Sequence, residues 1–183
     1  MEYIVELSKC PISAELCELF PRTDYGSTAF AKLESVFGEK LDEYYSILET
    51  YFNKIDLDNN LYFSTSFCAI SPKDSLIVHI DNNNDNRIFT FLHPLYGGEN
   101  MEWFTYDRED NVEVHSMNKS KDFETFPTHS RTNPLAKQKL DVPSVANIVV
   151  PHTVTNHSET EWGSFLTIRL KSEFALDMVE KWK

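Results

Sequence analysis

The sequence predicts a mainly β protein, a sandwich or barrel braced by helices. Three observations carry that reading. Apolar residues recur at helical spacing through the first third of the chain. From Leu61 onward the period shortens to two. The strand-like runs are then punctuated by turn signals: Ser71-Pro72-Lys73-Asp74, Asn82-Asn83-Asn84-Asp85-Asn86 and Gly97-Gly98-Glu99-Asn100.

Element by element, the chain reads as follows. A first helix spans Ser13 to Phe20, opened by a serine followed by acids and stopped by Pro21. A second covers Ala29 to Val36, with Phe30, Leu33 and Val36 at helical spacing. A third, Lys40 to Phe52, brings Leu41, Tyr44, Tyr45, Leu48, Tyr51 and Phe52 onto one broad face. Strands are expected at Tyr62–Ile70, Ser75–Ile80, Arg87–Leu92, Met101–Tyr106, Val112–His115, Val145–Val150 and Ser164–Leu170. The polar stretch Ser116–Lys139, with Pro127 and Pro134, reads as a long loop or lid. It is also the one locally basic segment. A closing helix, Ser172–Lys183, is expected to face Phe174, Leu176 and Val179 inward.

A chain of 183 residues suits one domain with a single core. It divides into helical support over 1–60, a β core over 61–171 and the terminal helix over 172–183. Twenty-nine acidic against seventeen basic residues give a net charge of −12. So acidic a surface repels phosphate backbones, which argues against nucleic acid as a partner. Five glycines are too few for a glycine-rich phosphate cradle. No stretch approaches about 18 apolar residues without a charge, so no membrane span is expected. The first residues carry no basic, apolar leader pattern. The three cysteines, Cys10, Cys17 and Cys68, have no metal-type spacing and read as buried thiols of a cytoplasmic protein.

The informative site is Leu76-Ile77-Val78-His79-Ile80-Asp81. Residues two apart on a strand share a face, so His79 and Asp81 project together where the strand meets the asparagine-rich turn. An imidazole beside a carboxylate supplies two of the three ligands of a two-histidine, one-carboxylate facial triad for non-haem Fe(II). His152 is the best third ligand. It follows the strand Val145–Val150 and Pro151, and a proline cannot donate to a ladder, which places His152 at a strand edge or bulge. A hydrogen-bonded structural His–Asp pair would give the same tripeptide. His93 precedes a proline and reads as a structural or cavity-wall residue rather than a ligand, whereas His115, His129 and His157 lie in polar segments and read as solvated. Trp103, Phe104 and Tyr106 read as core.

The order His79-x-Asp81, His152, Arg169 resembles the Fe(II)/2-oxoglutarate-dependent oxygenases, in particular the small aspartyl/asparaginyl- and prolyl-hydroxylase-like members of phage and bacteria. The phrases that carry the likeness are Val78-His79-Ile80-Asp81, Phe91-Leu92-His93-Pro94-Leu95-Tyr96-Gly97-Gly98-Glu99-Asn100 with Trp103-Phe104, Val150-Pro151-His152-Thr153-Val154-Thr155-Asn156 and Phe165-Leu166-Thr167-Ile168-Arg169-Leu170. They span roughly residues 75 to 171. The resemblance implies a double-stranded β-helix, or jelly roll, over 61–171. It further implies Fe(II) held by His79, Asp81 and His152, with 2-oxoglutarate as cosubstrate and dioxygen as oxidant. The reaction implied is hydroxylation of an unactivated C–H bond in a small molecule or a peptidyl residue.

One departure stands out. The family holds the distal carboxylate of 2-oxoglutarate with a basic residue near the start of the last strand, and here that region is Thr160-Glu161-Trp162-Gly163. Arg169 shares a strand face with Gly163, Phe165 and Thr167 and is one candidate anchor; Arg87, a short loop beyond Asp81, is the other. Two alternatives stay open: a cupin-like metalloprotein that uses the triad without 2-oxoglutarate, and a non-catalytic jelly-roll binding protein.

Overall fold

The structure is a computed structural model, and it describes residues 3–19, 29–32, 38–48, 65–81, 89–106, 113–117, 120–126 and 129–183. In chain order the elements are β1 (Ile4–Glu6), α1 (Ala14–Leu19), β2 (Ala29–Lys32), a 3-10 turn (Gly38–Lys40) that runs into α2 (Leu41–Leu48), β3 (Thr65–Ile70), β4 (His79–Ile80), β5 (Phe89–Tyr96), β6 (Glu99–Trp103), β7 (Glu113–Met117), β8 (Ser120–Thr125), β9 (Ala136–Lys139), β10 (Ser144–Asn147), β11 (His152–Asn156), β12 (Gly163–Leu170) and α3 (Ser172–Trp182).

Two antiparallel six-stranded sheets result, one ordered β1-β10-β5-β12-β3-β2 and the other β7-β8-β4-β11-β6-β9. From β3 to β6, and again from β9 to β12, successive strands alternate between the sheets. That alternation is the double-stranded β-helix, so the fold is the jelly roll expected from the sequence. The β7–β8 hairpin extends the second sheet outward from β4.

Burial follows from this layering. The first sheet is covered on both faces, which is why β5 and β12 read as nearly continuous apolar runs. Its outer face, with Phe67, Phe91, Leu166 and Ile168, packs against Leu16 of α1, Tyr44 of α2, and Ala175, Met178 and Trp182 of α3. Its inner face, with Cys68, Leu92, Ala146 and Phe165, meets Met101, Trp103 and Val154 of the second sheet. A small third cluster, Val78, Phe104 and Phe126, lies apart from both. Among the described residues no helix is long and apolar enough to cross a membrane.

Several expectations are corrected. Residues 29–32 form a strand rather than a helix, because β3 offers an unpaired edge and pairing with it outweighs a weak helical period. Ser116–Lys139 is not a long loop: it contains the end of β7 and all of β8 and β9. β8 and β9 escaped notice because they are rich in charged and polar residues and lack apolar alternation; β9 lies at the edge of its sheet, where charged strands are common. Cross-strand pairing still supports β9, where Lys137 meets Glu102 at 2.8 Å. Of the run Ser75–Ile80 only His79–Ile80 is strand, with one isolated bridge at Ser75. The closing helix buries Ala175, Met178 and Trp182 while Leu176 is exposed; the true stripe runs at spacings of three and four from Ala175. Tyr106 is exposed, whereas Trp103 and Phe104 are core as expected. Cys10 and Cys68 are buried free thiols and Cys17 is half-buried.

Candidate metal centre

His79 and His152 are direct register partners on the adjacent strands β4 and β11. His152 does not follow a strand, as expected from the sequence, but begins one. Both imidazoles therefore project from one sheet face, with ring centroids 4.3 Å apart at 52°. Asp81 follows β4 by one residue, and its backbone N–H donates to Ile148 C=O at 2.9 Å, which fixes where the chain leaves the sheet. One ligand atom from each of His79, Asp81 and His152 lies within 4.8 Å of the other two. A first-row ion with bonds of about 2.1 Å sets adjacent ligand atoms about 3 Å apart.

The protonation pattern suits ligation. His79 Nδ1 is 2.8 Å from Ile77 C=O, and His152 Nδ1 is 2.8 Å from Val150 C=O. A carbonyl only accepts, so each ring donates its Nδ1–H and leaves the Nε2 lone pair for an ion. In both cases the acceptor lies two residues upstream, so the local backbone sets ring orientation and tautomer together. Burial, reinforced by His79, pushes the His152 pKa down to about 3, which keeps this ring in the neutral, ligating form.

Arg169 completes the cluster. It lies on β12 of the opposite sheet, and its Nη2 donates to Asp81 Oδ1 at 2.8 Å. The inward face of β12 is the one the sequence predicts: Phe165 packs between the sheets while Leu166 and Ile168 pack against the helical side. The other candidate anchor, Arg87, lies outside the described residues. His93 faces the helices, away from the metal centre, and its Nε2 accepts the Ser13 N–H at 3.3 Å. Burial lowers its pKa to about 4. His157 is exposed beside Lys137, while His129 is packed on Phe104 at 5.1 Å rather than solvated. The side chain of His115 is not among those described.

Sequence reasoning missed Glu99. At the start of β6 it is fully buried in the barrel, about four residues, or about 13 Å, along the paired strands from His152. Among the described residues neither carboxylate oxygen has a hydrogen-bond partner. Burial pushes its pKa up to about 8, so at neutral pH it is mostly the uncharged acid. Its side chain fills the space left by Gly163 at the start of β12: a Cβ there would sit 1.7 Å from Glu99 Oε1. The absence of a side chain at residue 163 was legible; what occupies the space was not.

No protein-family model and no curated protein matches the chain. Among solved structures it is similar to E. coli ycfD, with 10% identity and a TM-score of 0.35, over 62% of this chain and 27% of that one. It is similar to the plu4264 protein of Photorhabdus luminescens, with 14% identity and a TM-score of 0.27, over 64% and 69%. It is also similar to an oxalate oxidase solved with the substrate analogue glycolate, with 10% identity and a TM-score of 0.38, over 87% and 59%. The chain thus spans about a quarter of ycfD and three fifths of the oxalate oxidase.

Proposed function

We propose that this jelly roll is an Fe(II)-dependent oxygenase that uses 2-oxoglutarate to hydroxylate an unactivated C–H bond in a small molecule or a peptidyl residue. The observation that carries the reading is the convergence of His79, Asp81 and His152, each imidazole held as the Nδ1–H tautomer by a backbone carbonyl. Two neutral nitrogens and one carboxylate form the donor set suited to Fe(II). Bound there, Fe(II) with 2-oxoglutarate would supply the oxidising power, one atom of dioxygen going to the hydroxylated product and the other into succinate, with carbon dioxide released. The chain's own residues do the rest. The two histidines and Asp81 hold the ion, Arg169 places a permanent positive charge beside it for an anionic cosubstrate, and Trp103, paired in register with His152, helps exclude water.

A second reading, a cupin-like metalloprotein that works without 2-oxoglutarate, is favoured by Glu99. At the start of the last strand, where the resembling family carries a cation for the distal carboxylate, this barrel has Gly163 backed by a buried carboxyl. Anaerobic titration of the Fe(II)-loaded protein separates the two. Chelation by both keto-acid donors produces a visible charge-transfer band, and 2-oxoglutarate that leaves the spectrum unchanged rules out the first reading. His79→Ala and His152→Ala are each expected to lose stoichiometric iron, measured by metal analysis after desalting, while circular dichroism stays native.

A further inference from the structure

We propose that Arg169 is a positioning residue that fixes Asp81 as a one-oxygen ligand, so that an ion in this site keeps three coordination positions open. The inference rests on reading the triad as a metal centre. Asp81 comes from the second sheet and Arg169 from the first, so their 2.8 Å bond bridges the two layers at the metal end of the barrel. The guanidinium is held by a strand paired on both sides, β12 between β3 and β5. Thr167, two residues before Arg169 on the same face, is fastened to Thr90 of β5 by a 2.5 Å hydroxyl–hydroxyl bond. Both partners are largely sheltered, at 25% and 17% side-chain exposure, so water competes little for the carboxylate.

The chemistry follows from charge and geometry. A carboxylate that chelates an ion through both oxygens brings the ion close to each. With a permanent cation already on Oδ1, chelation would place two positive charges on one oxygen. The ion is therefore driven to Oδ2 alone. In a six-coordinate ion a one-oxygen Asp81 and two histidines occupy three positions and leave three, enough for a two-donor ligand and one further small molecule. A chelating Asp81 would leave two, and the site could not hold both at once.

Manganese(II) is a suitable probe because its paramagnetic resonance lines broaden in 17O-enriched water in proportion to the number of bound waters. The wild-type protein is expected to show three waters, Arg169→Met two, and Arg169→Lys, which restores a cation at Asp81, three again. Three waters in both wild type and Arg169→Met would overturn the proposal, as would two in the wild type. A wild-type protein that binds no Mn(II) sinks the metal-centre reading itself, and the proposal with it. A second measurement needs no variant. In wild-type protein labelled with 13C at the aspartate carboxylates, Mn(II) addition should widen the splitting between the two carboxylate stretches of one aspartate, as one-oxygen ligation does; a narrowed splitting overturns the proposal.

Discussion

At the scale of single residues, the jelly roll carries two kinds of buried polar group, and their chemistry separates them. His79 and His152 each have a backbone acceptor for Nδ1, and each brings a ligand atom within 4.8 Å of Asp81. Glu99 has no hydrogen-bond partner for its carboxyl among the described residues, and it stays buried by remaining protonated to about pH 8. The stability consequence has a definite sign. Between the ordinary glutamate value of 4.5 and about 8, the unfolded chain has lost this proton and the folded chain has kept it. The folded state binds more protons there, so this group makes stability fall as pH rises through the window. Denaturant midpoints measured from pH 5 to 8.5 should therefore decline less steeply in Glu99→Gln than in wild type; parallel slopes would refute the assignment. Gly163 is tied to the same group. Gly163→Ala forces a methyl onto the Glu99 carboxyl and is expected to cost about 1–3 kcal/mol. In Glu99→Ala the same substitution should cost much less, because the two sites share one space, a coupling that a double-mutant cycle measures directly.

At the scale of elements, the candidate centre depends on a very short strand. β4 has two residues, yet it carries His79 and leads straight to Asp81. Beyond its pairing with β11, it is supported from its other side by β8 and Phe126. Phe126 donates its backbone N–H to Val78 C=O at 2.8 Å and packs with Val78 and Phe104, while β8 pairs His79 with Thr125. Phe126→Ala should thus lower stability by about 3–5 kcal/mol and also weaken metal binding, measured by calorimetric titration with Mn(II). Leu16→Ala, equally buried but on the helical side, should lower stability and leave metal affinity unchanged. The sequence showed His79 and Asp81 on one short run, since alternation needs only neighbours. It did not show β8, because a strand reading Ser-Lys-Asp-Phe-Glu-Thr has no apolar period, and of its two partners β4 lies about 45 residues earlier.

At the scale of the whole molecule, metal binding and folding draw on the same arrangement. The ligands come from strands that meet only in the closed jelly roll, so the unfolded chain has no comparable site. An ion at one hundred times its dissociation constant is expected to add about 2.7 kcal/mol to unfolding free energy. Thermal melts with and without Mn(II) check this, and His79→Ala should erase the shift. Taken alone, the sequence determined the class of fold, because the change from helical to alternating period is local and survives without coordinates. It determined the three candidate ligands too, since their residue types and order need no distances. Tertiary structure decided what contact over long separations decides: that His79 and His152 are strand neighbours, that Arg169 grips Asp81 from the opposite sheet, and that a carboxyl fills the space beside Gly163. The physical reason is that alternation tells which way a side chain points, whereas register and sheet pairing, which set whom it meets, are properties of the assembled barrel.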